Sequence, residues 1–348
     1  MSDGMISYVL YGKEDLRPER RTVPEVKPGQ VLIKVRRMGI CGSDVHYFIH
    51  GYCGVFIPKR PFILGHEFAG EVAETGAGVK GVSVCDRVAV DPSYPCSICR
   101  FCRTGRYNLC DNMKYLGSAS TDPHVDGAFC EYIAMPAANC YVLPDKIDYG
   151  EAALLEPLSV ATHAVMRAGS VSGKSVLIAG GGTIGQLVLL VVRAFGSAHI
   201  VLSDIREAPR KLALNQGADH VLDATTDSMK GQALGIVEDG FDIIFEVSGS
   251  PAALGQAIDL VRRAGTIIQV GTLPSEVELP ANMIMVKELN ILGSFRFANV
   301  FSTAINLIAS GRINLRPLIT HTFPFGNFLS AMNLACGKEN IIKVQVEA

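Results

Sequence analysis

The chain has 348 residues, 48% of them hydrophobic and 19% charged, with 35 glycines and a formal net charge of -2; this composition describes a folded polypeptide of about two domains. Balanced charge gives no electrostatic support to a nucleic-acid or membrane-surface partner, so a small molecule is the expected ligand. No apolar run reaches membrane-spanning length, the opening "MSDGMISYVLYGKEDL" lacks the pattern of a secretory signal, and in the cytoplasm, the expected setting, ten cysteines stay reduced, which favours metal binding or catalysis over disulfides.

From residue 31 to about 155, short β-rich runs ("VLIKVRRMGI", "FAGEVAETG", "DRVAVDP", "EYIAM") separated by Gly, Pro and Asp predict a compact, irregular β domain. Within it "GICGSDVHY" offers Cys41, Ser43, Asp44, His46 and Tyr47, and "GHEFAGEV" offers His66 and Glu67. Neither stretch is a metal motif by spacing alone, since a cysteine after "GI" suits a core and a histidine before Glu suits a turn.

The next stretch is louder. "PCSICRFCRTGRYNLC" sets Cys96, Cys99, Cys102 and Cys110 at gaps of two, two and seven residues, which suits a closed tetrahedral zinc site with four thiolates. The common bacterial iron–sulfur run closes with a three-residue gap and a proline, whereas Asp111 follows here. A saturated site of this kind holds structure and leaves no position for a substrate.

"DYGEAALLEPLSVATHAVMRAG" is helical, and from Gly173 strand-like and helix-like segments alternate, which implies a parallel sheet covered on both faces over about 157 to 295. "SVLIAGGGTIGQ" places Gly180, Gly182 and Gly185 in the G-x-G-x-x-G spacing between an apolar strand and an apolar helix. That context suits the tight turn, close pyrophosphate approach and helix packing of a dinucleotide site. Thr183 and Ile184 lie inside the motif, and Val270 closes the later strand "TIIQVG" at the same site. Asp204 ends the next strand, "IVLSD", where a carboxylate accepts from an adenosine ribose and repels a 2′-phosphate, favouring NAD. Arg206 leaves NADP open, because a guanidinium there accommodates the phosphate if Asp204 turns away. The final fifty or so residues, 296–348, do not continue the alternation and are expected to pack on the first domain.

"GICGSDVHY", "ILGHEFAGEV", the four-cysteine loop, "LLEPLSVATHA" and "GGGTIG" stand in the order found in zinc-dependent medium-chain alcohol and polyol dehydrogenases. The chain resembles that family over nearly its whole length, and within it the sorbitol and L-idonate 5-dehydrogenase branch, the latter through "YLGSASTDPHVDGAF", "FEVSGSPA" and "GSFRF". The resemblance implies an α/β architecture: a GroES-like, partly open β-barrel catalytic domain over 1–156, a doubly wound Rossmann domain over 157–295, and a return to the catalytic domain over 296–348. It implies two zinc ions per chain, with Cys41, His66 and Glu67 as ligands of the catalytic one and Glu156, where classical alcohol dehydrogenases carry a cysteine, facing the metal or its water. Oxygen ligands leave the zinc a better Lewis acid than a second thiolate would. Ser43 and His46 correspond to a proton relay, and Asp44 either orients the metal ligands from behind or merely caps a turn. Arg296 corresponds to a residue that meets substrate oxygens, with Tyr47, Phe56 and Phe297 as candidate walls. The implied reaction passes hydride from a secondary hydroxyl to NAD in a cleft between the domains, with L-idonate or a polyol such as sorbitol, xylitol or galactitol as substrate. A homo-oligomer, dimer or tetramer, is also implied. A cofactor-binding protein without turnover is the contrasting reading, and the intact set of ligands and relay residues argues against it.

Overall fold

A computed structural model describes residues 4–337 and 340–348. The chain divides into two units, Met1–Glu156 with Phe301–Ala348, and Pro157–Val300. The division leaves Arg296 and Phe297 in the second unit. Among the described residues, no helix is long and apolar enough to cross a membrane.

In the first unit the central strand Gln30–Gly39 is flanked on one side by Glu67–Thr75, then Arg87–Val90 and Cys140–Val142, and on the other by Lys343–Glu347 and Ile319–Pro324. Tyr132–Pro136 also pairs with it, and only the last two strands of the row run parallel. A second sheet joins Met5–Gly12 to Asp15–Arg21 and Phe62–Ile63. Bulges interrupt the pairing of Gln30–Gly39 with Glu67–Thr75, as expected where a sheet curls. The register matters for function: Gly39 lies opposite Glu67 on one flank and opposite Gln345 on the other. Residues two apart on a strand share a face, so Lys343 is carried to the same face as Glu67.

The four-cysteine segment forms a lobe with its own small cluster, in which Cys110, Met113 and Tyr115 are buried against Tyr107 and the other three cysteines. Its root is a two-strand ladder, Ser93 opposite Tyr115 and Tyr94 opposite Lys114. Buried Asp91 fixes that root by accepting from the Ser93 amide at 2.9 Å and its hydroxyl at 2.6 Å. Asn139 Nδ2 donates to the carbonyls of Asp91 and Ser93.

The second unit is a six-stranded, wholly parallel sheet in the order His220–Asp223, His199–Asp204, Ser175–Ala179, Phe241–Glu246, Val261–Gln269, Asn290–Gly293. Ser175–Ala179 is buried at every position, as a central parallel strand covered on both faces must be. The helix Thr183–Ala194 packs on it and on His199–Asp204, while Pro251–Leu260 packs on Phe241–Glu246 and Val261–Gln269. The strand order reverses beside Ser175–Ala179, the position where open α/β sheets bind ligands at strand carboxyl ends.

Candidate metal centre and dinucleotide site

Cys41 precedes the helix Gly42–His50 as its N-cap. Asp44, in the first turn, accepts from the Cys41 amide through Oδ2 at 2.9 Å and from the Gly65 amide through Oδ1 at 3.2 Å. His66 Nδ1 lies 3.9 Å from Asp44 Oδ1. One fully buried carboxylate thus ties the cysteine-bearing segment to the histidine-bearing one. Asp44 both caps the turn and stands behind the candidate metal ligands. Gly65, at φ +93, turns the chain so that His66 and Glu67 enter the strand that follows.

Possible ligand atoms of Cys41, His66 and Glu67 lie within 4.8 Å of one another. Glu156, in the first turn of the helix Leu155–Arg167, falls outside that mutual distance and takes a hydrogen bond on Oε1 from the Tyr115 hydroxyl at 2.6 Å. Pro157 follows it without cost, because the first turn of a helix has no use for that amide hydrogen. His66 Nδ1 is buried without a hydrogen-bond partner among the described residues. A half-buried thiol beside a buried imidazole and a buried carboxylate forms a donor set that zinc fits.

The charges around the cluster point the same way. Burial pushes Asp44 up, against His66 and the two amide donors. Glu156 is pushed up to about 7, by burial first and also by Glu67, against the pull of His66, Tyr115 and Lys343. Burial alone would depress His66, but Cys41, Asp44 and Glu156 outweigh it and hold the imidazole well above its ordinary range. Such crowding of acids stabilises any cation placed among them.

Lys343 was not legible as part of this site. Its Nζ donates to both oxygens of Glu67, at 2.9 and 2.7 Å, and to the Ile40 carbonyl at 3.1 Å, which uses all three ammonium hydrogens. Glu67 and Lys343 are 1% and 3% exposed, so this is a buried ion pair within the candidate metal cluster. The pair closes over Gly39, where a side chain would stand 2.3 Å from Glu67 Oε2. Burial alone would lower Lys343, but Glu67 and Cys41 keep it raised.

The remaining candidates separate by exposure. Ser43 is half-buried and His46, one turn along the same helix, is exposed with its ring 5.5 Å from that of His50. Tyr47 is buried; its hydroxyl accepts from the Ala119 amide at 3.1 Å, and its ring meets Phe62 edge-on. Phe56 is half-buried against the core of the same unit. Phe297 is buried, so neither it nor Tyr47 presents an open wall. Arg296, at φ +51, holds its guanidinium 4.9 Å from the Phe295 ring centre. His124, in "YLGSASTDPHVDGAF", is held by the Lys59 amide at Nε2 and the Thr121 carbonyl at Nδ1.

In the lobe, Cys96, Cys99, Cys102 and Cys110 bring their sulfurs within 4.8 Å of one another. Backbone amides donate to these sulfurs, Cys96 to Cys110 at 3.2 Å and Cys99 to Cys96 at 3.4 Å. Amides of Cys102 and Asp111 bring Cys99 down to about 6. Burial and the neighbouring thiols push Cys102 the other way, up to about 12, so the amide donors favour charge at some of these sulfurs but not at every one; the four together fit a closed zinc site.

In the second unit, Gly180 follows the strand Ser175–Ala179 and Gly182 caps the helix that Thr183 and Ile184 begin. Gly185 has to be glycine, since a side chain there would stand 1.9 Å from the Gly180 carbonyl oxygen. Asp204 Oδ2 accepts from the Gly181 amide at 2.7 Å and Oδ1 from the Arg206 amide at 2.8 Å. The acid is therefore fastened to the glycine turn, with Arg206 Nε 3.5 Å from it. Val270 donates to the Glu246 carbonyl at 2.8 Å. The side chain of buried Glu246 accepts from the amides of Ser248 and Gly249, so one residue organises both turns at the strand ends.

Comparison with known proteins adds the following. Residues 27–145 match the family described as "Alcohol dehydrogenase GroES-like domain" and residues 183–310 the one described as "Zinc-binding dehydrogenase". The chain is 38% identical to a sorbitol dehydrogenase of Bacillus subtilis over 98% of its own length and 97% of the relative's. It is 39% identical to a probable D-xylulose reductase A of Aspergillus terreus, over 93% of each chain. The crystal structure of an L-idonate 5-dehydrogenase from Escherichia coli superposes with a TM-score of 0.93 at 36% identity, covering 99% of this chain and 98% of that one.

Proposed function

The chain belongs to the zinc-dependent medium-chain alcohol and polyol dehydrogenases, and from that premise we propose that it oxidises a secondary hydroxyl of a sugar acid, L-idonate at carbon 5 to 5-keto-gluconate, reversibly and with NAD. It is an oxidoreductase of CH–OH donors. The observation that carries the mechanism is the convergence of Cys41, His66 and Glu67, whose possible ligand atoms lie within 4.8 Å of one another. The sugar-acid reading rests on the likeness to the L-idonate 5-dehydrogenase; the Arg296 guanidinium suits a carboxylate and polyol hydroxyls alike and does not separate the two substrates.

When bound, the zinc supplies Lewis acidity that makes a hydroxyl more acidic, and the dinucleotide supplies the hydride acceptor. Cys41, His66 and Glu67 would hold the catalytic metal, with Glu156 facing it or its water. Cys96, Cys99, Cys102 and Cys110 would hold a structural one. Asp44 fixes the first two ligands relative to each other, and Lys343 fixes the third. Ser43 Oγ would accept the substrate's hydroxyl proton as it gives up its own, and His46, exposed one turn along the same helix, is the imidazole that would exchange a proton with solvent. Gly180, Gly182, Thr183, Ile184, Gly185 and Val270 frame the cofactor, and Asp204 meets its adenosine ribose. The anchoring of Asp204 to the Gly181 amide favours NAD, because turning it away to admit a 2′-phosphate breaks that hydrogen bond. Arg296 and half-buried Phe56 are assigned to the substrate, whereas Tyr47 and Phe297, both buried, are not; a cytoplasmic setting belongs to the same proposal.

A panel assay tests it: nicotinamide reduction is followed with L-idonate, D-gluconate, sorbitol, xylitol and galactitol, each with NAD and NADP. Saturable turnover of L-idonate with NAD is expected. Turnover of a polyol with none of L-idonate would establish the polyol reading, which the sorbitol and D-xylulose relatives favour.

A homo-oligomer is part of the proposal. Asn290–Gly293 ends the parallel sheet, and among the described residues no strand pairs its outer edge. Shortly before it in the chain the helix Ala281–Val286 exposes Met283, Met285 and Val286. An open edge together with exposed apolar side chains is a surface that a second copy covers. Light scattering is expected to give a dimer or tetramer, and Met285→Glu with Val286→Glu to shift it toward monomer; an unshifted mass in that variant removes this edge from the interface.

A further inference from the structure

Resting on that reading of the site, we propose that Tyr115 is a positioning residue that registers Glu156 against His66 and takes its own position from the four-cysteine lobe. Tyr115 and Glu156 are each 5% exposed. The phenol donates to Glu156 Oε1 at 2.6 Å, the short length of a charge-assisted bond to a carboxylate. The same ring stands against His66, centroids 5.8 Å apart and planes at 61°. One side chain therefore touches a metal-ligand candidate with its ring and the facing carboxylate with its hydroxyl. Committing Oε1 to the phenol fixes the plane of the carboxylate and leaves Oε2 for any contact to the metal or its water.

What holds the tyrosine is the lobe. Tyr115 is buried with Cys110 and Met113 in the lobe's own cluster, and its backbone pairs with Ser93, which the Asp91 network anchors. The lobe's effect on chemistry then runs through the Tyr115 side chain, with its ring on His66 and its hydroxyl on Glu156. That makes the four-cysteine loop more than a staple at a distance, because the last buried residue of its cluster reaches the catalytic carboxylate.

The test uses the full-length, metal-loaded chain as wild type, Tyr115→Phe, Glu156→Gln and the double variant. Phenylalanine keeps the ring against His66 and inside the lobe, so thermal unfolding is expected to move little. Outer partners of metal sites typically carry 10–100-fold in activity or affinity. We therefore expect kcat of Tyr115→Phe to fall by about that factor, together with a changed visible spectrum when cobalt replaces zinc at the catalytic site. In the Glu156→Gln background the same change should alter neither the residual rate nor the cobalt spectrum further. An unchanged rate and spectrum in Tyr115→Phe overturns the proposal, as does an equal proportional effect with and without Glu156. If Tyr115→Phe proves too unstable to assay, Cys99→Ser reports instead: a cobalt spectrum at the catalytic site unaffected by loosening the lobe overturns it. Failure of the dehydrogenase reading is a separate result, namely wild type with no turnover on any substrate of the panel and no cobalt spectrum.

Discussion

Cys41→Ser is expected to abolish dehydrogenase turnover while leaving the protein folded. Partners one step removed from a metal already carry 10–100-fold, so loss of the thiolate itself should cost at least about a hundredfold. The fold should tolerate the change for a local reason. Cys41 occupies the N-cap of the helix Gly42–His50 and is tied down through its backbone amide, which donates to Asp44. Serine keeps that amide and is itself a favoured N-cap residue. Metal analysis should show loss of roughly one zinc of about two, since the four-cysteine site is untouched. Cys99→Ser makes the contrast. It removes one of four sulfurs from a lobe whose apolar cluster is small, so thermal stability should fall first. The paired measurement is turnover, zinc content and unfolding temperature for both variants; equal loss of stability in the two would contradict the division of roles.

Lys343→Met is expected to be among the most destabilising single changes in the first unit, by about 3–5 kcal/mol. The reason is what it leaves behind. Glu67 is 1% exposed and both of its oxygens are held by Lys343, so in the metal-free protein, where no zinc offsets Glu67, removing the ammonium strands a buried negative charge. Removing both charges is a different matter, because replacing a buried ion pair by neutral groups of similar volume is often close to neutral. Lys343→Met with Glu67→Gln should therefore recover a large part of the loss. Urea unfolding, read as a shift of midpoint at constant slope, decides it. A Lys343→Met midpoint equal to wild type would mean that the pair contributes nothing to holding this part of the fold.

The two features loudest in the sequence are both local. Four cysteines at short gaps and three glycines at a strand-to-helix turn are spacings within one loop, and backbone geometry over a few residues is what sequence spacing reports. The alternation of strand and helix after Gly173 likewise reports a period, and the wholly parallel order of six strands is what it leads to. Cys41 and His66 were only fragments by spacing, and resemblance joined them before the fold brought their ligand atoms together. Asp44 could be a cap or a support by sequence and is both in the structure, because two segments 21 positions apart converge on one carboxylate.

Lys343 and Tyr115 show where local information stops. A lysine in "IIKVQVEA" is an ordinary strand residue, and nothing near it in sequence says that Glu67, 276 positions away, will be its partner. That partnership follows from register across Gly39, which pairs with both flanking strands and has no side chain to separate them. Tyr115 is likewise one aromatic in a quoted run until the two-strand ladder turns it toward His66 and Glu156. By itself the sequence determined the chemistry at hand: the donor types, the glycine turn, the acid after the second strand, and the family. Only the tertiary structure decided which oxygen is held by which donor and which charge is compensated, because those depend on long-range strand register and on burial.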